Sequence, residues 1–125
     1  MNRFARVAFT SLAIMAASPA LAAVDLNVGI NLSGDVQIVT AVYGCGEGSA
    51  PLTVKYINAA PNFLAIIPVE GEDVVFVNVV SASGAKYVSG VWEWWNKGAD
   101  ASLHNVTEGL DAAPVLSCSE NVQTP

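Results

Sequence analysis

The chain has 125 residues, 53% of them hydrophobic and 13% charged, with a formal net charge of −6. That length suits one domain, and the acidic balance argues against nucleic acid and anionic lipid as partners. With two cysteines and one histidine in the whole sequence, neither a metal site nor any other cofactor site is expected.

The first residues read as a leader. Arg3 and Arg6 precede an apolar run from Val7 to Ala17, and Ala20-Leu21-Ala22 offers a small-x-small cleavage site. This is the pattern of a secretory signal peptide over residues 1–22. The apolar run is too short to span a bilayer, and the expected cut carries no cysteine for a lipid. An exported chain without a membrane anchor is therefore expected, with one domain over residues 23–125. Losing both arginines leaves Lys55, Lys86 and Lys97 against eleven acidic residues, a net charge of −8. Such a surface draws basic partners in, although it also serves solubility. Cys45 and Cys118, an even pair in an exported chain, are expected to form one disulfide.

Strand follows strand after the leader. Val24 to Leu32 alternates strictly, with Val24, Leu26, Val28, Ile30 and Leu32 on one face. A turn at Ser33-Gly34-Asp35 leads to a β-branched strand, Val36 to Tyr43. The glycine-rich loop from Gly44 to Pro51 holds Cys45. Leu52 to Ile57 is the third strand, with Leu52, Val54 and Tyr56 facing one way. A turn around Pro61, a strand from Phe63 to Val69 and the charged turn Glu70-Gly71-Glu72-Asp73 come next. Val74 to Val80 is the strongest β segment, and Ser81 to Ala85 turns it. Lys86 to Trp95 reads as a sixth strand, Asn96 to Asp100 as a loop, Leu103 as part of a seventh strand, and Pro114 to Cys118 as the eighth. No segment keeps a helical period. Many short strands between Gly, Asn, Asp and Pro turns predict an all-β antiparallel barrel or sandwich. A Val-rich segment such as VVFVNVV is hazardous at an open edge, which favours closure.

Enzyme chemistry finds little support, and a non-enzymatic protein is expected. His104 has no serine elbow around it. Glu70, Glu72 and Asp73 cluster in a turn that suits solvated charge better than acid–base work. The GCGEGS loop leads into a strand rather than a helix N-terminus, so it is no phosphate cradle. Asn31-Leu32-Ser33 and Asn105-Val106-Thr107 match a glycosylation pattern that is common by chance.

The unusual stretch is Ser83 to Gly98, which holds all three tryptophans together with Lys86 and Lys97. On a single strand, Trp92 and Trp94 share a face with Val88, suited to core packing, and Trp95 points the other way. The turns that flank such a strand sit at its opposite ends. They reach one surface only if the strand bends, for which Gly90 is the candidate. Lys97 lies in a turn on a protein with few other cations, where it can offer a point charge to a partner's carboxylate.

At these residues the chain resembles the MliC/PliC family, bacterial inhibitors of C-type lysozyme. The resemblance begins at Tyr43-Gly44-Cys45 and continues through Leu52-Thr53-Val54-Lys55-Tyr56. It is strongest at Ser81-Ala82-Ser83-Gly84-Ala85-Lys86-Tyr87, similar to the family's serine-glycine-x-x-tyrosine motif. It returns at Trp94-Trp95-Asn96-Lys97-Gly98, similar to a motif ending in lysine-glycine, and ends at Cys118. It implies a small eight-stranded antiparallel β-barrel. It also implies a partner, C-type lysozyme, whose cleft receives the two motif loops. Ser83 would then hydrogen-bond one catalytic carboxyl group and Lys97 would pair with the other. Gly84 and Gly98 would shape the loops, Tyr87 would brace the turn, and Lys86 would be a rim contact or solvated. Many relatives carry a cysteine at the cleavage site; this chain lacks one and resembles the soluble periplasmic branch. The segment Val24 to Leu32 lies outside the shared motifs, where it either completes the barrel or mediates a homodimer. A different class of function, a small periplasmic barrel that binds an apolar or cell-envelope ligand, is the alternative. Its motive is the apolar strands and the tryptophan cluster, and its difficulty is the little room inside eight strands.

Overall fold

A computed structural model describes Gly29 and residues 31–121. The predicted leader and most of the predicted strand Val24–Leu32 lie outside the described residues; Gly29, Asn31 and Leu32, which are described, carry no strand. The strands are β1 (Gln37–Gly44), β2 (Leu52–Ala59), β3 (Asn62–Val69), β4 (Glu72–Val79), β5 (Ala85–Ser89), β6 (Trp92–Lys97), β7 (Asp100–Asn105) and β8 (Leu116–Glu120). They pair in sequence order, every pair antiparallel, into a closed barrel. Barrel and not sandwich is the outcome, as the family resemblance implied.

Alternation decides what goes inside. Ala41 and Tyr43 of β1, Val54 and Tyr56 of β2, Ala65, Ile67 and Val69 of β3, and Phe76 of β4 are buried on every second position. Tyr87, Trp94, Ala101, Leu103 and Cys118 continue the set around the barrel. Volumes match across the ladder. Ala65 stands in register between Tyr56 and Phe76, so the smallest side chain leaves room for two rings. Trp94 is 0% exposed. Burying an indole removes about 200 Å² from water and stabilises by about 5 kcal/mol. Side chains fill the middle of the barrel, which restricts any ligand to its rims.

The sixth predicted strand requires correction. Lys86–Trp95 is a hairpin, with β5 and β6 joined at Gly90-Val91. Gly90 takes φ +55, the left-handed setting that a tight hairpin turn asks of its first central residue and that glycine adopts at least cost. The fold back resets the faces. Tyr87 stands opposite Trp94, while Val88 stands opposite Glu93 and Lys86 opposite Trp95. Val88 therefore lies on the outer face and does not share one with Trp92 and Trp94. Eight strands are reached by this split, without the segment 24–32.

The hairpin has a second effect. In an up-and-down barrel, the connections before and after one hairpin emerge at the same rim. The β4–β5 loop (residues 80–84) and the β6–β7 turn (Gly98-Ala99) are therefore neighbours, the arrangement that a single long strand could not give. The barrel closes where β1 meets β8, through only Tyr43↔Glu120 and Gly44↔Ser119. Beside that short seam the Cys45–Cys118 disulfide links residues 73 apart in sequence.

Candidate functional site

The shared rim of the two loops carries the predicted site residues. Ser83, Gly84, Lys97 and Gly98 are all exposed there. The 80–84 loop is pinned from within: Ser81 Oγ donates to the Gly84 carbonyl at 3.0 Å. It is pinned again from β6, where Trp95 Nε1 donates to the Ser83 carbonyl at 2.9 Å. The Ser83 hydroxyl stays on the surface.

Gly84 answers two demands. Its φ is +66, and a Cβ built on it would stand 2.0 Å from the Asn96 carbonyl oxygen and 3.3 Å from Lys97 Cγ. Only a residue without a side chain lets the two motif segments touch. Gly98, at φ +63, turns β6 into β7 with nothing within 4 Å of its missing Cβ.

Lys97 is held, but not neutralised. Its Nζ lies 3.7 Å from the centre of the Trp95 ring. Asp100, directly opposite in the β6–β7 ladder, accepts instead from Ser119 Oγ at 2.7 Å. Lys86 behaves differently. Its Nζ lies 4.2 Å from the same ring, and it pairs with Glu93 at 3.3 Å, which is the one ion pair among the described residues. Lys86, expected as a rim contact or a solvated charge, is part-buried and internally paired, and the unpaired charge at the tip belongs to Lys97.

Beneath the tip, a polar knot ties the loops to the core. Asn96 Nδ2 donates to Tyr43 OH at 3.0 Å and to Tyr56 OH at 2.7 Å, and Trp94 Nε1 donates to Tyr56 OH at 2.9 Å. Tyr56 oxygen therefore accepts twice, and its own proton goes to Tyr43 OH, 2.9 Å away. Burial pushes the Tyr43 hydroxyl well above its ordinary range. Tyr87 is raised too, by burial and then by Tyr56. Both remain neutral phenols at physiological pH. Tyr87 is a core residue packed on Tyr56, ring centres 5.5 Å apart, so its bracing role lies within the barrel. A cavity of about 270 Å³ opens at this rim, bordered by Tyr43, Tyr56, Tyr87 and Asn96.

Two contributors escaped the sequence reading. Asn96 points inward as the only polar member of its strand face, a signal visible once β6 is known to start at Trp92. Trp95 appeared as a surface indole, although the lysines at both ends of the same stretch hinted at a common seat. No group of His, Cys, Asp and Glu able to hold a metal occurs among the described residues, and His104 bonds only Ser102 Oγ, at 2.9 Å. Asn105 is engaged as a cap, its Oδ1 accepting from Thr107 N at 3.0 Å.

Comparison with known proteins places this geometry in context. The profile of the family described as membrane-bound lysozyme-inhibitor of c-type lysozyme (MliC) matches residues 43–111. A protein of that description from Pseudomonas aeruginosa is 40% identical over 92 residues, 71% of this chain and 72% of the relative. Another, from Cupriavidus necator, is 40% identical over 83 residues, 66% of this chain and 64% of the relative, a little under two thirds of its length. Among solved structures, Pseudomonas aeruginosa MliC in complex with hen egg white lysozyme aligns with a TM-score of 0.58 and 39% identity, over 80% of this chain and 98% of that one. The periplasmic inhibitor PliC from Salmonella typhimurium aligns with a TM-score of 0.54 and 27% identity, over 67% and 98%.

Proposed function

This chain belongs to the MliC family of lysozyme inhibitors, and on that premise we propose that it inhibits a C-type lysozyme by plugging the enzyme's cleft with its two motif loops. The Ser83 hydroxyl meets one catalytic carboxyl group and the Lys97 ammonium meets the other. The observation that carries this reading is Lys97 itself: exposed, seated on Trp95 and left without a carboxylate of its own beside the exposed Ser83.

The chemistry suits the target. A lysozyme works with one carboxylic acid kept protonated and one carboxylate kept ionised, about 5–5.5 Å apart in a retaining enzyme. A hydroxyl can donate to or accept from either form, and an ammonium neutralises the ionised one. A carboxylate in a cleft closed to water gains more from such a pair than a surface group does, less the desolvation of both charges. The acidic body attracts a basic enzyme from a distance and the free cation at the tip selects the contact at close range. The leader-like N-terminus supports delivery to the cell envelope, where such an enzyme attacks. With no cysteine at the expected cut, the reading is of a soluble periplasmic protein, which a fractionation of cells into membrane and periplasm would check.

The test is a cell-wall lysis assay with purified mature protein and a C-type lysozyme. Slowed lysis at equimolar or modest excess inhibitor is expected. Unchanged lysis would reject the proposal.

A further inference from the structure

We infer that Trp95 is the positioning residue of the inhibitory tip: its ring seats the Lys97 ammonium while its N–H holds the Ser83 carbonyl, so that two loops from different hairpins act as one pre-set unit. This deepens the lysozyme-inhibitor reading and rests on it.

The geometry is specific to this side chain. Trp95 sits on the outer face of β6, two residues before Lys97 and therefore on the same face. Its Nε1 spans to Ser83 O at 2.9 Å, and its ring lies 3.7 Å from Lys97 Nζ. A lysine stem is rotamer-rich, and holding one in place for binding carries an entropic cost. A ring under the ammonium settles part of that cost before the partner arrives. The ring is fixed in turn from β5. Lys86, directly across the ladder, places its own Nζ 4.2 Å from the ring centre and is kept there by Glu93 at 3.3 Å. Glu93 thereby neutralises the lysine that supports the ring and leaves charged the one that the ring presents. The indole combines a large face for a cation with a donor: phenylalanine has the face alone, and leucine neither.

Three variants separate this role from ordinary packing. Trp95→Phe keeps the ring and loses the N–H; Trp95→Leu loses both; Trp95→Leu combined with Lys97→Ala asks whether the indole acts through the lysine. In the free protein, the Lys97 side-chain methylene protons should show upfield ring-current shifts by NMR. These should persist in Trp95→Phe and vanish in Trp95→Leu. Against a C-type lysozyme, Trp95→Phe should weaken inhibition about threefold, from one lost hydrogen bond. Trp95→Leu should weaken it about tenfold, as the ring contact goes too. In the Lys97→Ala background the leucine change should cost clearly less than it does alone, since part of its effect passes through the missing ammonium. Circular dichroism spectra and melting curves confirm the barrel in each variant. An unshifted Lys97 in the wild type, or equal losses in both backgrounds, overturns the positioning role even if inhibition is strong. Wild-type protein that leaves lysozyme untouched instead overturns the inhibitor reading, and the ring-current shifts then still judge whether the clasp exists.

Discussion

Replacing Gly84 with Ala tests the contact on which the joined loops depend. Two terms add. The first is conformational: an alanine held at φ +66 costs about 1–2 kcal/mol relative to glycine. The second is steric. The new Cβ would stand 2.0 Å from the Asn96 carbonyl oxygen, about 1 Å inside the nearest approach a real Cβ makes, and the obstacle is backbone, not a flexible side-chain end. The loop must therefore lift off β6, stretching the Trp95–Ser83 bond, and forced insertions of this kind add about 1–3 kcal/mol. Gly71→Ala is the matched control. Gly71 lies at the opposite rim with φ +85 and nothing within 4 Å of its missing Cβ, so it bears only the first term. At about 4–8 °C per kcal/mol for a domain of this size, Gly84→Ala should lower the Tm roughly twice as far as Gly71→Ala. Assayed well below both melting points, Gly71→Ala should inhibit lysozyme like the wild type, and Gly84→Ala should lose tenfold or more. Equal melting points together with equal inhibition would refute the argument that close approach, and not merely a turn, is what Gly84 provides.

Other consequences follow from the same structure. Lys97→Ala should weaken inhibition at least about tenfold if a buried charge pair is lost, while Lys55→Ala, on the outer face of β2, should not; titration of binding to a C-type lysozyme decides between them. Raising the salt from about 50 to 500 mM should slow association more than it speeds dissociation, because steering is screened and close contact is not; stopped-flow binding reads both rates. Substituting both Cys45 and Cys118 with Ser should lower unfolding free energy by about 4 kcal/mol, the loop-closure value for residues 73 apart, and urea unfolding measures it. Stability should also fall at alkaline pH. The folded values of Tyr43 and Tyr87 lie above the ordinary 10.0, so above that pH the unfolded chain loses protons that the barrel retains, and the equilibrium moves toward unfolding. The stabilisation is complete below pH 10 and is lost above it; Tyr43→Phe should flatten the decline seen in melting curves from pH 9 to 11.

Much of the barrel was legible because burial with period two leaves a clear trace. Leu52, Val54 and Tyr56 were assigned to one face, and they do point inward, Val54 at 0% exposure. The cysteine pair and the order of the motifs named the fold correctly. The hairpin at Gly90-Val91 was not legible for a physical reason. Its turn contains an apolar valine, and Ser89-Gly90 is the only break between Val88 and Trp92, too short a dip for hydropathy to separate two strands. A two-residue hairpin needs no polar loop, only a tolerated positive φ. Missing it placed Val88 on the wrong face and let the motif loops meet only through a bend, for which Gly90 was the candidate and where the chain does turn. The same omission concealed Trp95, since an outward indole on a lone strand has no partner, whereas on β6 it lies beside Lys86 across the ladder. Asn96 needed the fold as well: its amide looks like a loop residue until Tyr43 and Tyr56 are found beneath it.

The meander order fixes one more quantity, the gauge of the tip. The prongs emerge from the β4–β5 and β6–β7 connections, two strand steps apart around the wall, and a step is about 4.8 Å. Longer connections would change how far the prongs protrude, not how far apart they stand. Side chains must close the remaining distance to two acids about 5–5.5 Å apart. On the proposed reading a serine and a lysine of unequal reach would do that, and aiming the same scaffold at more widely separated acids would call for other side chains at 83 and 97, not a different wall.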